Sequence, residues 1–259
     1  YLSGFFIHNF LGKYAEKHCF TRHYSKKKIK KNVKLFCSAW GSYLDLYFTY
    51  TIPSLLQSKN VPALWQEGYE LELAIYTKPE DCERIETQYA RELEAFRYYS
   101  RVNTYAIDGI VEDTKEARSE RMIEGLTRQI EVCLDQDATM LLTTPRAIFG
   151  NGSVANAIAL TRGKDVCLAS AHPRISEESA LSDPILEELR LGQCEIANDE
   201  LVDLVFKYGH YALLHSFDDV DENITRAGIS VRKVNEHTYS VIHNLPTVWL
   251  ANFCEADLR

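Results

Sequence analysis

The chain has 259 residues, 46% of them hydrophobic and 25% charged, the proportions of an ordinary soluble globular protein, which argue against disorder and low complexity. Its 12 Gly and 7 Pro are thinly scattered, excluding collagen-like and linker-rich architectures, and the length allows a core that needs no disulfide or structural metal. Charge is uneven: residues 1–34 hold 9 of the 29 Lys and Arg and a single acid, Glu16, which leaves the rest of the chain strongly acidic and argues against a nucleic-acid-binding body.

Residues 1–32 read as a basic, aromatic arm and residues 33–259 as one α/β domain. The opening run YLSGFFIHNFL is too short to span a bilayer. A signal peptide would place its charges before the apolar run, whereas here Lys26-Lys27-Lys28-Ile29-Lys30-Lys31 follows it. An apolar aromatic stretch ahead of a basic one can lie on an anionic membrane surface, and it also suits a solvated arm or a helix docked on its own domain. The chain starts at Tyr1 without an initiator Met and closes on Ala256-Asp257-Leu258-Arg259, as a piece of a longer protein, truncated at its C-terminus, would. Seven dispersed Cys without a Cys-x-x-Cys pair fit a reducing cytosol, so the expected location is cytoplasmic, with peripheral membrane contact through the arm. Cys37, Cys133 and Cys167 sit in apolar runs, as small buried hydrophobes do.

From residue 33 short apolar runs alternate with helical patterns, the signature of an α/β sheet. The first strand is Val33 to Ala39, ending at Trp40-Gly41-Ser42, and the helix behind it carries Tyr43 to Leu56 with a kink or break near Pro53. YELELAIY, residues 69–76, alternates as a strand should, and Thr77 and Pro79 suit a helix cap and first turn. Ile85, Tyr89, Leu93 and Phe96 mark a helix over about 80–100, and a strand follows at Asn103 to Ile107. Residues 114–134 carry a stripe of Met122, Ile123, Leu126, Ile130, Cys133 and Leu134. A strand at Ala138 to Leu142, the turn Gly150-Asn151-Gly152-Ser153, a helix at Val154 to Thr161 and a strand at Asp165 to Ser170 continue the alternation. Helices are expected at about 183–191 and 199–208, an apolar run at Tyr211 to His215, and a hairpin from Gly228–Val234 and Thr238–His243. The expected architecture is a mostly parallel open sheet with a C-terminal hairpin region.

Open α/β sheets bind ligands beyond the carboxyl ends of their strands, so the residues after each run are the ones to weigh. Trp40, Gly41 and Tyr43 follow the first strand, where a Gly lets backbone approach a ligand and an aromatic ring can cover a base, although a packed Trp beside a turn reads the same way. Thr77 follows the second strand. Asn151, Gly152 and Ser153 open a helix whose N–H groups could meet a phosphate or sugar, or form a plain Asn-Gly turn. No Walker or Rossmann glycine motif is present. Asp218, Asp219 and Asp221 have the spacing of carboxylates that hold Mg²⁺ or Mn²⁺ against a diphosphate, and form a surface acidic loop otherwise. Asp135 and Asp137 precede a strand and read as a solvated helix end. His243, like His172 and His215, lies near such a point, and no His pair has zinc-site spacing.

The segments KLFCSAWGSYLDLYFTYTIPSLLQSKNVPAL and YELELAIYTKPEDCERI resemble the start of glycosyltransferase-like proteins associated with bacterial surface polysaccharide synthesis. The resemblance continues through RAIFGNGSVANAIAL, ANDELVDLVFKYGHYALLHSFDD and YSVIHNLPTVWL, covering roughly residues 33–250, and its motifs are phrases without a diagnostic catalytic signature. It implies a GT-A-like fold of the nucleotide-diphospho-sugar transferase type, a nucleotide-sugar donor, a glycan or other hydroxyl acceptor, and Mn²⁺ or Mg²⁺ as cofactor. Trp40, Gly41, Tyr43 and Thr77 would hold the nucleotide, and Asn151, Gly152 and Ser153 the phosphates or sugar. Asp218, Asp219, Asp221 and His243 would hold the metal, with Asp219 and His243 also the candidate bases. The family pattern favours an acid where this chain has Asn151, which weakens a metal role for that turn. Two other readings stand beside it: a catalytically idle binding or scaffolding module, and a hydrolase of phosphate esters or glycosides.

Overall fold

The architecture follows from central strands that are buried on both faces. In the computed structural model the described residues are 31–107, 115–162, 167–170, 180–209, 229–235, 238–243 and 247–252. Strands β1 (Asn32–Ser38), β2 (Glu70–Thr77), β3 (Arg101–Ala106) and β4 (Thr139–Leu142) pair in parallel in the order β3-β2-β1-β4. The sheet extends through β8 (Thr247–Asn252), antiparallel to β4, and ends on β5 (Cys167–Ser170), also antiparallel to β8. Strands β6 (Ile229–Asn235) and β7 (Thr238–His243) form a separate antiparallel ribbon, the expected hairpin. β8 was not expected as a strand, although TVWLAN is an apolar run behind a proline, the pattern of a strand start.

One face of the sheet carries α1 (Ser42–Leu46), a π-helical turn (Tyr47–Thr51), α2 (Ile52–Leu55), α3 (Val61–Gln66), α4 (Pro79–Gln88), α5 (Ala90–Arg97) and α7 (Ser153–Thr161). Val33, Leu35, Cys37, Leu71, Leu73 and Ile75 point into this face and are almost wholly buried against Leu44, Tyr47, Phe48, Ile85, Leu93 and Phe96. Each such aliphatic or aromatic side chain contributes roughly 1.5–3 kcal/mol by leaving water. The opposite face packs Phe36, Ala74, Tyr76, Met140 and Leu142 against Leu126, Ile130 and Cys133 of α6 (Lys115–Asp135), with Met122 and Leu134 partly buried beside them, so five of the six residues of the expected stripe lie there. A satellite cluster of Leu186, Leu189, Ile196 and Leu204 lies under α8 (Pro184–Arg190) and α9 (Asn198–Lys207), with Tyr50 and Ile148 packed on it.

Two expected helices are interrupted, each for a local reason. The π turn at Tyr47–Thr51 falls just before Pro53, whose ring lacks an N–H and crowds the carbonyl four residues back, so a wider turn absorbs it without breaking the helix. The helix expected over 80–100 divides at Tyr89, which leaves helical geometry (φ −112°, ψ 24°) with its ring stacked on Phe48 at 4.3 Å.

Candidate functional site

The chain lays β1, β2 and β3 side by side in one direction and then places β4 on the other side of β1. The order reverses between β1 and β4, and at such a switch point the two following loops diverge and leave a crevice above the sheet. The β1–α1 loop and the segment after β4 therefore define the candidate site.

The β1 side is held firmly. Gly41 has φ 57° and ψ −134°, a conformation essentially reserved for glycine. Its N–H donates to Asp81 Oδ2 at 2.8 Å, and its carbonyl accepts from Arg84 Nη1 at 3.0 Å. Arg84 also donates to Asp45 Oδ1 at 2.6 Å and to the Tyr89 hydroxyl at 3.0 Å. Burial pushes the Asp45 carboxyl up, but hydrogen bonds from Tyr89 and Arg84 outweigh it and hold Asp45 below its ordinary value. A network on α4 and at Tyr89 thus fixes the backbone next to Trp40, which is half-buried, while Tyr43 is exposed.

The β4 side is equally tied down. Thr143 is wholly buried and donates both its N–H (2.8 Å) and its hydroxyl (3.0 Å) to the Phe36 carbonyl of β1, while its Oγ1 lies 2.9 Å from the Tyr47 hydroxyl. Beyond it Thr144-Pro145-Arg146-Ala147 makes a tight turn closed by Ala147 N–H to Thr144 O at 3.0 Å, with proline at its preferred second position. The Thr144 carbonyl also accepts from Thr51 Oγ1 at 3.2 Å. This turn places the exposed Arg146 guanidinium 5.1 Å from the centre of the Tyr43 ring. Arg146 was not among the residues expected from sequence. Its signal was a cation directly after Pro145, four residues past the end of β4.

Thr77 is the last residue of β2, is fully buried, and its hydroxyl has no partner. It does not cap the next helix: Lys78 occupies that position, without a side-chain cap bond, and Pro79 takes the first turn as expected. Ser38, at the end of β1, likewise has a buried hydroxyl without a partner. Thr77 is thus enclosed at the end of β2 and presents no surface to a ligand.

The Gly150-Asn151-Gly152-Ser153 turn lies elsewhere. From Thr143 the chain runs down the helix behind β1, meeting Tyr47, then Thr51, then Ser54 and Gln57, and reaches Asn60. That path carries the turn on the order of 15 Å from the β4 exit, at 1.5 Å per helical residue. Its donors are also spent. Asn60 Oδ1 accepts from Gly152 N–H (3.0 Å) and Val154 N–H (3.1 Å), and Ile196 O accepts from Asn151 N–H (2.7 Å). The Asn151 side chain binds Glu195 Oε2 at 2.6 Å and the Lys59 N–H at 2.9 Å. The phosphate expectation for this turn rested on its following an apolar run and opening a helix; the turn does open α7, but its N–H groups are taken within the protein, where it joins the α8–α9 region to the helices behind β1.

Asp218, Asp219 and Asp221 lie outside the described residues, as do His172, His215 and the run Tyr211–His215. His243 ends β7 of the hairpin, not a strand of the six-stranded sheet, so the carboxyl-end argument does not extend to it. Asp135 and Asp137 are exposed at the end of α6, as expected, with Asp137 at φ 47°. Among the described residues no group of three His, Cys, Asp or Glu is placed to hold a metal ion. Among the described residues, the carboxylates next to the β1 exit, Asp45 and Asp81, are bonded to Arg84, Tyr89 and the Gly41 backbone, so these two do not fit a Mg²⁺ or Mn²⁺ site.

No described helix is long and apolar enough to cross a membrane. Comparison with protein-family models, curated proteins and solved structures gives no match to this chain. The fold and site define the class: an α/β protein whose mostly parallel open sheet has its switch point between β1 and β4.

Proposed function

We propose that the chain is a GT-A-like, nucleotide-sugar-dependent glycosyltransferase that binds its donor over the exits of β1 and β4. The observation that carries this reading is the facing pair of Tyr43 and Arg146 across the switch point, 5.1 Å from guanidinium to ring centre. An exposed aromatic ring offers a base or ribose a flat apolar surface, and a guanidinium matches phosphate oxygens with two parallel donors. The positive-φ Gly41 lets the backbone approach a ligand without a side chain in the way.

In the reaction an acceptor hydroxyl oxygen forms a bond to the anomeric carbon of the sugar as the bond from that carbon to the diphosphate oxygen breaks. The diphosphate leaves with the electron pair, and the acceptor proton passes to a base, for which Asp219 is the sequence candidate. Donors fixed before the reaction stabilise the charge growing on the leaving group without reorganising. Membrane contact through residues 1–32 belongs to the same proposal, as a means of bringing the domain to a lipid-linked or surface acceptor.

Calorimetry with UDP and GDP tests the assignment of the site. Trp40→Ala should weaken nucleotide binding by about 1–3 kcal/mol if that ring stacks on the base. Release of nucleoside diphosphate from a panel of sugar donors then separates a transferase from an idle module. A parent chain that binds no nucleotide would overturn the reading.

A further inference from the structure

Resting on the donor-site reading, we infer that Arg146, seated on the Tyr43 ring, is the group that neutralises the donor's diphosphate at the β1/β4 crevice, in the place where a divalent cation held by carboxylates would act. Three observations lead there.

The segment leaving β4 is Thr143-Thr144-Pro145-Arg146, with no carboxylate in it. Thr143 is spent on Phe36 and Tyr47 inside the core, so it is not a ligand. Asp81, only 6% exposed, accepts from the Gly41 N–H, and Asp45 accepts from Arg84 and Tyr89. A cation held by these described carboxylates would have to compete with an arginine for either of them.

Arg146 itself is presented by a rigid device. The Thr144–Ala147 turn is closed by its own hydrogen bond, stiffened by the proline at its second position and pinned to the helix behind β1 through Thr51. A ring beneath the guanidinium orients its plane, so less freedom is lost when two N–H groups meet phosphate oxygens. Arg84, the other arginine of the site, is turned inward and holds the Gly41 loop. It acts on position, whereas Arg146 stands at the surface on the opposite side of the switch point.

The diphosphate, unlike the nucleoside, should therefore depend on Arg146 and not on added metal. The test is calorimetry of the full chain with uridine, UMP and UDP, and in parallel guanosine, GMP and GDP, in EDTA and again in Mn²⁺. We expect the diphosphate to bind more tightly than the nucleoside in EDTA. Arg146→Gln should weaken the diphosphate on the order of tenfold or more while leaving the nucleoside unchanged, with Arg146→Lys in between. Because Arg146 is exposed, the variants should unfold like the parent, and the unchanged nucleoside affinity reports an intact crevice. Diphosphate binding that is equal in parent and Arg146→Gln, or that appears only with Mn²⁺, overturns the inference and leaves the donor site standing. No binding of either nucleotide series in either condition overturns the donor site and the inference together.

Discussion

Lys34 and Glu72 stand directly opposite each other on the parallel strands β1 and β2, both buried, and their side chains form an ion pair inside the sheet. Asn103 of β3, which stands opposite Ala74, reaches diagonally to donate to the second Glu72 oxygen at 2.9 Å. Three neighbouring strands are thus joined by one polar ladder on a face otherwise lined by Phe36, Ala74 and Tyr76. Removing one partner strands a buried charge, so Lys34→Met or Glu72→Leu alone should cost about 3–5 kcal/mol of unfolding free energy. The double variant Lys34→Met/Glu72→Leu should recover most of that loss. Denaturant titrations of the four proteins measure the coupling, and additive losses would show that the ladder is not a unit.

The same pair makes stability depend on pH. Burial raises the Glu72 carboxyl, but the bonds from Lys34 and Asn103 outweigh it, and the net displacement is below the ordinary glutamate value of 4.5. A group with a lower folded value binds fewer protons when folded than when unfolded. Its contribution is therefore complete above the ordinary value and disappears as pH falls through the lower folded one. Unfolding midpoints measured from neutral to acid pH should drop more steeply for the parent than for the double variant.

The sheet was legible because its strands are short apolar runs and the helices between them carry clear stripes; the first three strands and α6 lie within two residues of their expected bounds. What sequence could not show was pairing. Glu72 reads as the polar half of an alternating, half-exposed strand, whereas β2 is covered on both faces and the carboxylate is tolerated only because Lys34 lies opposite. The site was half legible for a related reason. Trp40, Gly41 and Tyr43 follow their strand directly. The long return of the β4 loop along a helix, which removes Asn151 and leaves Arg146 at the crevice, depends on contacts ninety or more residues apart.

Gly41 supplies a test of the β1 exit. A methyl group there would meet no atom within 4 Å, so space does not forbid alanine. The backbone does, since φ is 57°. Gly41→Ala should therefore lose about 1–3 kcal/mol of stability or shift the loop, and in either case weaken nucleotide binding. A variant with unchanged melting and unchanged nucleotide affinity would mean that the loop does not need this conformation.

Cys37 and Cys82 should differ in reactivity. Burial drives the Cys37 thiol far above its ordinary value, against a smaller lowering by its bond with Tyr47, and the side chain has no exposure. Burial also raises Cys82, as do nearby Asp81 and Glu80, but that side chain is partly exposed. Iodoacetamide at mildly alkaline pH should label Cys82 slowly and spare Cys37 until the chain is unfolded, as peptide mass mapping would record. Early labelling of Cys37 would show that the packing of Tyr47 on β1 opens readily.

Asn60 should be the least replaceable polar side chain of the helical side. It is wholly buried and uses its whole amide: Nδ2 donates to Ser54 O (2.9 Å) and Gly150 O (3.1 Å), while Oδ1 accepts from Gly152 and Val154. It thereby caps α7 from another part of the chain, since Gly152 at the helix start has no side chain to do so. Asn60→Ala leaves two buried N–H groups and two carbonyls with fewer partners, and unsatisfied buried groups cost about 1–3 kcal/mol each. Asn60→Asp keeps the oxygen that caps α7 but removes the donor to Ser54 and Gly150, and it adds a charge in a buried position. Both variants should unfold well before the parent, with Asn60→Ala releasing the Gly150–Ser153 turn in hydrogen exchange. Gly150→Ala should disturb the same junction from the other side, because its methyl would fall 2.1 Å from Asn198 Oδ1 and 3.3 Å from the Asn198 Cα. If the turn were instead the phosphate site, these variants would abolish nucleotide binding even where the fold survives; on the present structure, folded Gly150→Ala protein should bind UDP or GDP as the parent does.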